Sequence, residues 1–125
     1  MRNSRKWAAT VLPLMITSAV LAVAPSASAA PAGAAACTSH RWSAKDSNWG
    51  TTKDNTGGPI RSGPHSSCSV VIWPTIHTKL FYHCYVRNEA GNTWTHVRPD
   101  QPNGTTLQGW VYDGNLDDGG SLKPC

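Results

Sequence analysis

Few side chains in this sequence are placed to do chemistry. His65 and Cys68 stand three residues apart, and His83 is followed directly by Cys84. Imidazole and thiolate are the usual zinc ligands, so this H-x-x-C is the first pattern to weigh. It lacks a second C-x-x-C or H-x-x-H pair, and oxidised cysteines do not ligate. No metal and no cofactor is expected. Hydrolytic machinery is equally thin. Glu89 is the one glutamate and sits in a turn, and Asp117-Asp118 runs into Gly119-Gly120 as a solvated turn would. Neither G-x-S-x-G nor H-E-x-x-H occurs. On a regular strand His83 and Cys84 point to opposite faces, so they cannot serve as base and nucleophile. No catalytic residue is assigned, and the chain is not expected to be an enzyme.

The aromatic residues are the better candidates for function. Trp94, Trp110 and Tyr112 could form a platform for an extended peptide or a sugar ring, since aromatics bury much area at little entropic cost. Trp73, just ahead of Pro74, joins them as an expected exposed loop residue. Trp94 and Trp110 have a structural alternative, packing under residues 37–57 or against the edge of a β domain. Tyr112 is the more exposed of the three by expectation.

The chain ends bound what can carry these residues. Arg2, Arg5 and Lys6 precede an apolar stretch from Trp7 to Ala24, then Pro25 and Ala27-Ser28-Ala29. That is the pattern of a signal peptide over 1–29, cleaved after Ala29. Ala34-Ala35-Ala36-Cys37 resembles a lipobox but lacks its Leu and lies well past the apolar core. Three of the 11 basic residues leave with the signal, so eight face seven acidic ones. A net charge near neutrality provides no field for nucleic acid, and no membrane association is expected after cleavage. The expected product is secreted, with possible cell-wall association, and monomeric.

Cys37, Cys68, Cys84 and Cys125 all fall in the exported part. An even count in a small exported domain reads as two disulfides. Three connectivities are possible; the expected one is Cys68–Cys84 with Cys37–Cys125, which would tie the domain ends together.

Residues 30–56 read as a disordered lead-in and polar extension, with Trp42 and Trp49 as isolated apolar groups. Residues 57–125 read as one all-β domain. Strands are expected at Ser69–Trp73, Thr78–Arg87, Thr93–Arg98 and Thr105–Tyr112, between turns such as Gly57-Gly58-Pro59, Ser62-Gly63-Pro64, Asn88–Asn92 and Pro102-Asn103-Gly104. Alternation puts Thr95 and Val97 opposite Trp94 and His96, and Val111 opposite Trp110 and Tyr112. It puts Leu80, Tyr82, Cys84 and Val86 on one face and Phe81, His83 and Tyr85 on the other.

An ordered set of motifs carries a resemblance. Ile60-Arg61-Ser62-Gly63-Pro64, Val70-Val71, Leu80, Trp94 with Val97, Gly109-Trp110-Val111 and Leu116 follow one another as in bacterial SH3-like (SH3b) domains, over about residues 57–118. Gly58-Pro59-Ile60-Arg61 stands where that family usually has Leu-Asn-Val-Arg, so the first strand is expected to be short or bent. The resemblance implies a small SH3-like barrel with a disulfide-tethered N-terminal extension. It also implies a non-catalytic binding module for cell-wall peptide, peptidoglycan or another extracellular ligand. A small secreted inhibitor or toxin acting on a foreign protein, through residues 87–92 or 99–105, is the alternative of another class. A structural role in the envelope is the third.

Overall fold

The computed structural model describes Cys37, Thr38 and residues 40–125. The expected signal peptide and the 30–36 lead-in lie outside the described residues. The protein is all-β. Six strands form one antiparallel sheet: β1 (Trp49–Gly50), β2 (Ile60–Arg61), β3 (Val70–Ile72), β4 (Leu80–Arg87), β5 (Thr93–Pro99) and β6 (Gly109–Tyr112). A 3-10 turn, Asp113–Asn115, follows β6. The strand order is β1-β4-β5-β6-β2-β3, so the hydrogen-bonded ladder runs from β1 at one edge to β3 at the other. No described helix is long and apolar enough to cross a membrane.

The β4–β5 hairpin is the centre of the sheet, and its turn is built by side-chain chemistry. Asn88 bonds Asn92 through backbone N–H and through Oδ1, and Gly91 supplies a left-handed φ of 82°. Asn and Gly are favoured there because a short polar side chain can replace ladder bonds and Gly has no Cβ penalty. The hairpin points Leu80, Tyr82 and Val97 inward, where they meet Val111 of β6, Ile60 and Leu116 in a core flanked by Val71 and Ile72. β6 begins at Gly109 rather than at the expected Thr105. Asn103 Oδ1 captures the Thr105 N–H and hydroxyl, which diverts the backbone from a ladder. Gly109 itself is required by packing, since a Cβ there would lie 2.4 Å from the Arg61 carbonyl oxygen.

Two further expectations are corrected. The disulfides are Cys37–Cys68 and Cys84–Cys125, not Cys68–Cys84 and Cys37–Cys125. Residues 123–125 explain the second: they lie parallel to β4, with Tyr85 N–H donating to Lys123 O and Cys125 N–H to Tyr85 O. This seats Cys125 against Cys84. The alternation along β4 also breaks. Tyr82 pairs with Val97 and Cys84 with His96, so His83 is an extra residue, a β-bulge. Beyond it the parity inverts. Cys84 and Val86 join Phe81 and His83 on the outer face, and Tyr85 turns to the Thr95 side. Two disulfides fit an oxidising compartment.

Peptide mapping under non-reducing conditions is expected to recover Cys37–Cys68 and Cys84–Cys125 fragments. Paired Cys84→Ser and Cys125→Ser replacement is expected to lower stability by about 2–5 kcal/mol. Recovery of a Cys68–Cys84 fragment would refute the placement of the C-terminal tail beside β4.

Candidate functional site

The outer face of the sheet is a ladder of aromatic rows set by strand register. One row runs Cys84–His96–Trp110–Arg61 across β4, β5, β6 and β2. The next runs Val86–Trp94–Tyr112. Cross-strand neighbours of this kind share a face and touch. Trp94 and Tyr112 lie 5.6 Å apart between ring centroids, tilted by 50°. His96 meets Trp110 edge-on at 4.9 Å.

The Trp94–Tyr112 row reaches solvent through Tyr112. It forms the wall of a concave pocket of about 310 Å³, closed further by Pro59 and Arg61, His65, the Asn88–Asn92 turn and Asn115. Tyr112 is 37% exposed, whereas Trp94 is 4% exposed and its indole N–H has no hydrogen-bond partner. An unpaired buried donor is costly, of order 1–3 kcal/mol, and such groups are uncommon in native folds. The rim is close to neutral. Arg61 turns its guanidinium to the Cys68 carbonyl at 2.9 Å. His65 faces Glu89 at 3.3 Å through Nε2 and accepts from the Ser67 N–H through Nδ1. Asn88 donates to the Pro64 carbonyl.

The His96–Trp110 row is covered. Residues 40–48 cross it as a strap, held at one end by the Cys37–Cys68 disulfide and at the other by β1. Trp42 stacks on His83 at 4.6 Å and on His96 at 4.1 Å, and His40 meets Trp110 at 6.0 Å. The two imidazoles share a hydrogen bond, Nδ1 to Nδ1, of 2.8 Å. Burial holds both imidazoles below the usual histidine value. Arg98 adds to this for His83, and the neighbouring His83 adds to it for His96, which falls to about 3. The pair is therefore neutral at pH 7, with one Nδ1 protonated and the other accepting.

Of the four residues singled out from the sequence, Trp94 and Tyr112 come together in the pocket. Trp110 stays on the same face but lies under the strap, 3% exposed. Trp73 lies elsewhere, 62% exposed beside Gly57, and is no part of the pocket. Sequence reasoning missed Pro59, Asn92, Asn115 and the His83–His96–Trp42 stack. Trp42 was visible as an isolated apolar residue in a polar segment; the bulge that brings His83 to it left no such trace. Among the described residues no cluster of three His, Cys, Asp or Glu could hold a metal ion. No family model, curated protein or solved structure matches the chain.

The imidazole pair sets a pH dependence. Both groups titrate lower when folded than the unfolded value of about 6.5. The unfolded chain therefore binds more protons below pH 6.5, and stability falls as pH drops from there toward the folded values. Thermal unfolding between pH 6.5 and 4 is expected to show this loss. The slope is at most about 1.4 kcal/mol per pH unit from His96. His96→Gln should flatten it, and an equal slope in that variant would remove His96 as the source.

Proposed function

We propose that the protein is a secreted, non-catalytic binding module of SH3-like type. Its Trp94–Tyr112 pocket would receive a neutral ring or an extended peptide segment, from cell-wall peptide or another extracellular ligand. The observation that carries this reading is the concavity of about 310 Å³ into which Tyr112 is exposed, with the largely buried Trp94 ring 5.6 Å from it. Ligand sites are typically concave and apolar with a few polar groups at the rim. Pro59 and Ala90 supply apolar wall, and Asn92 and Asn115 supply amides that can donate and accept. The one Arg of the lining gives one guanidinium N–H group to the neutral Cys68 carbonyl, which leaves its charge uncompensated. Export and an oxidising destination agree with the two disulfides.

A second reading, an inhibitor acting on a foreign protein, draws support from another surface. Val70, Trp73 and Ile76 are exposed together in and after edge strand β3, with no charged side chain between Cys68 and Ile76. Exposed apolar groups on an edge strand are a route to contact with another chain. A screen against secreted amylases and proteases decides it: no inhibition at micromolar protein removes this reading.

For the leading reading the test is co-sedimentation with purified peptidoglycan. The mature protein is expected in the pellet, and Tyr112→Ala is expected to weaken binding about tenfold, as loss of an aromatic anchor does. Protein remaining wholly in the supernatant would exclude wall attachment.

A further inference from the structure

The covered row and the open row are parts of one surface. Trp110 stands two residues from Tyr112 on β6, His96 two residues from Trp94 on β5, and Arg61 pairs with Trp110 while lining the pocket. We propose that residues 40–46 are a proton-released cover over the second half of the aromatic groove. When the strap lifts, the binding surface extends from Trp94–Tyr112 onto His96–Trp110. This rests on the pocket being a binding site.

The strap is held outside the core, by backbone bonds to β4 and by two polar links to the C-terminal tail, Lys45 Nζ donating to Cys125 O at 2.8 Å and Asp46 accepting from Ser121 at 2.6 Å. The bulge at His83 frees its carbonyl from the ladder, and that oxygen accepts from both Lys45 N–H and Asp46 N–H at 2.9 Å. The Ser43 N–H reaches Cys84 Sγ at 3.5 Å. Trp42 stacks over both imidazoles and is itself 40% exposed. Arg41, Ser43 and Ala44 are all exposed. Both ends of the strap are fixed, by Cys37–Cys68 and by β1, so lifting its middle does not release the chain.

The stack on Trp42 needs two imidazoles side by side, joined through Nδ1 atoms 2.8 Å apart. One added proton leaves this bond intact, since an imidazolium can still donate to a neutral neighbour. A second proton places N–H against N–H and a cation against a cation. Arg98 from β5 depresses His83, His83 depresses His96, and His40 of the strap stands beyond Trp110. Asp46 of the strap, whose N–H bonds the His83 carbonyl, has its carboxylate engaged by Ser121 and the Asn48 N–H. With the strap lifted, both rings meet water and regain ordinary basicity. The open-to-closed ratio then rises up to about tenfold per pH unit, below about pH 6.5, for each proton that only the open form accepts.

Hydrogen exchange followed by NMR on the disulfide-intact protein reads the cover without any ligand. Corrected for intrinsic rates, protection of the Lys45 and Asp46 amides is expected to fall at least tenfold between pH 7 and 5, while Val97 and Val111 keep theirs. Trp42→Ala is expected to produce the same local loss at pH 7, and His83→Gln with His96→Gln to abolish its pH dependence. Unchanged protection of the strap, or loss in step with Val97 and Val111, overturns the cover. A second readout uses solubilised peptidoglycan fragments: Trp42→Ala should bind them at least threefold more tightly than wild type. An opening strap with unchanged affinity overturns the groove extension alone. No binding by either protein at any pH strikes the pocket reading and leaves the exchange result standing.

Discussion

An extra residue in β4 sets the geometry on which the outer face depends. Because His83 is bulged between Tyr82↔Val97 and Cys84↔His96, its carbonyl faces away from the ladder and its imidazole lands beside His96. The freed carbonyl holds two strap amides, and the paired rings give Trp42 its seat. The same shift turns Cys84 outward to meet Cys125, which fastens the C-terminal tail along β4. A regular strand would send His83 and Cys84 to opposite faces and leave strap and tail without these attachments.

Those attachments matter because the apolar core is small. Six buried residues, Ile60, Leu80, Tyr82, Val97, Val111 and Leu116, make up its centre, and a domain of this size is marginal on burial alone. Polar links between the chain ends complete it. Thr95 donates to Asp113 at 2.6 Å and accepts from the Ser121 N–H, while Ser121 donates to Asp46 of the strap at 2.6 Å. Tyr82, anchored in the core, donates to Asp118 at 2.6 Å. Burial raises the Asp113 carboxyl above its ordinary value against the pull of its hydroxyl partners. Burial also opposes ionisation of Asp46, yet hydrogen bonds from Ser121 and the backbone of Asn48 and Leu122, with the Lys123 charge, hold it lower. The N-terminal segment and the tail are thus structural parts of the sheet as well as neighbours of the groove.

Much of this was legible in the residue order. Turn residues at Asn88–Asn92 and alternation in Thr93–Val97 placed the β4–β5 hairpin, and parity put Trp110 and Tyr112 opposite Val111, and Trp94 and His96 opposite Thr95 and Val97. Illegible features were those set by tertiary pairing. A bulge adds one residue without a compositional mark, so the side of Cys84, and with it the disulfide pairing, could not be read locally. β1 is two residues long, and Trp49-Gly50 shows no alternation to announce a strand. That Trp110 would lie under residues 40–46 depended on where those residues cross, which is decided by His83 rather than by the tryptophan. Trp73 follows β3, the edge strand, and lies beside Gly57 instead of in the pocket.

The central claim is that the bulge joins two neutral imidazoles beneath Trp42. Long-range proton–nitrogen correlation of the histidine rings at pH 7 tests it most directly. The account predicts that one of His83 and His96 is the Nδ1–H tautomer and the other the Nε2–H tautomer. Both should show nuclear Overhauser contacts to the Trp42 indole. Two Nε2–H tautomers exchanging freely with water, without contact to Trp42, would contradict it.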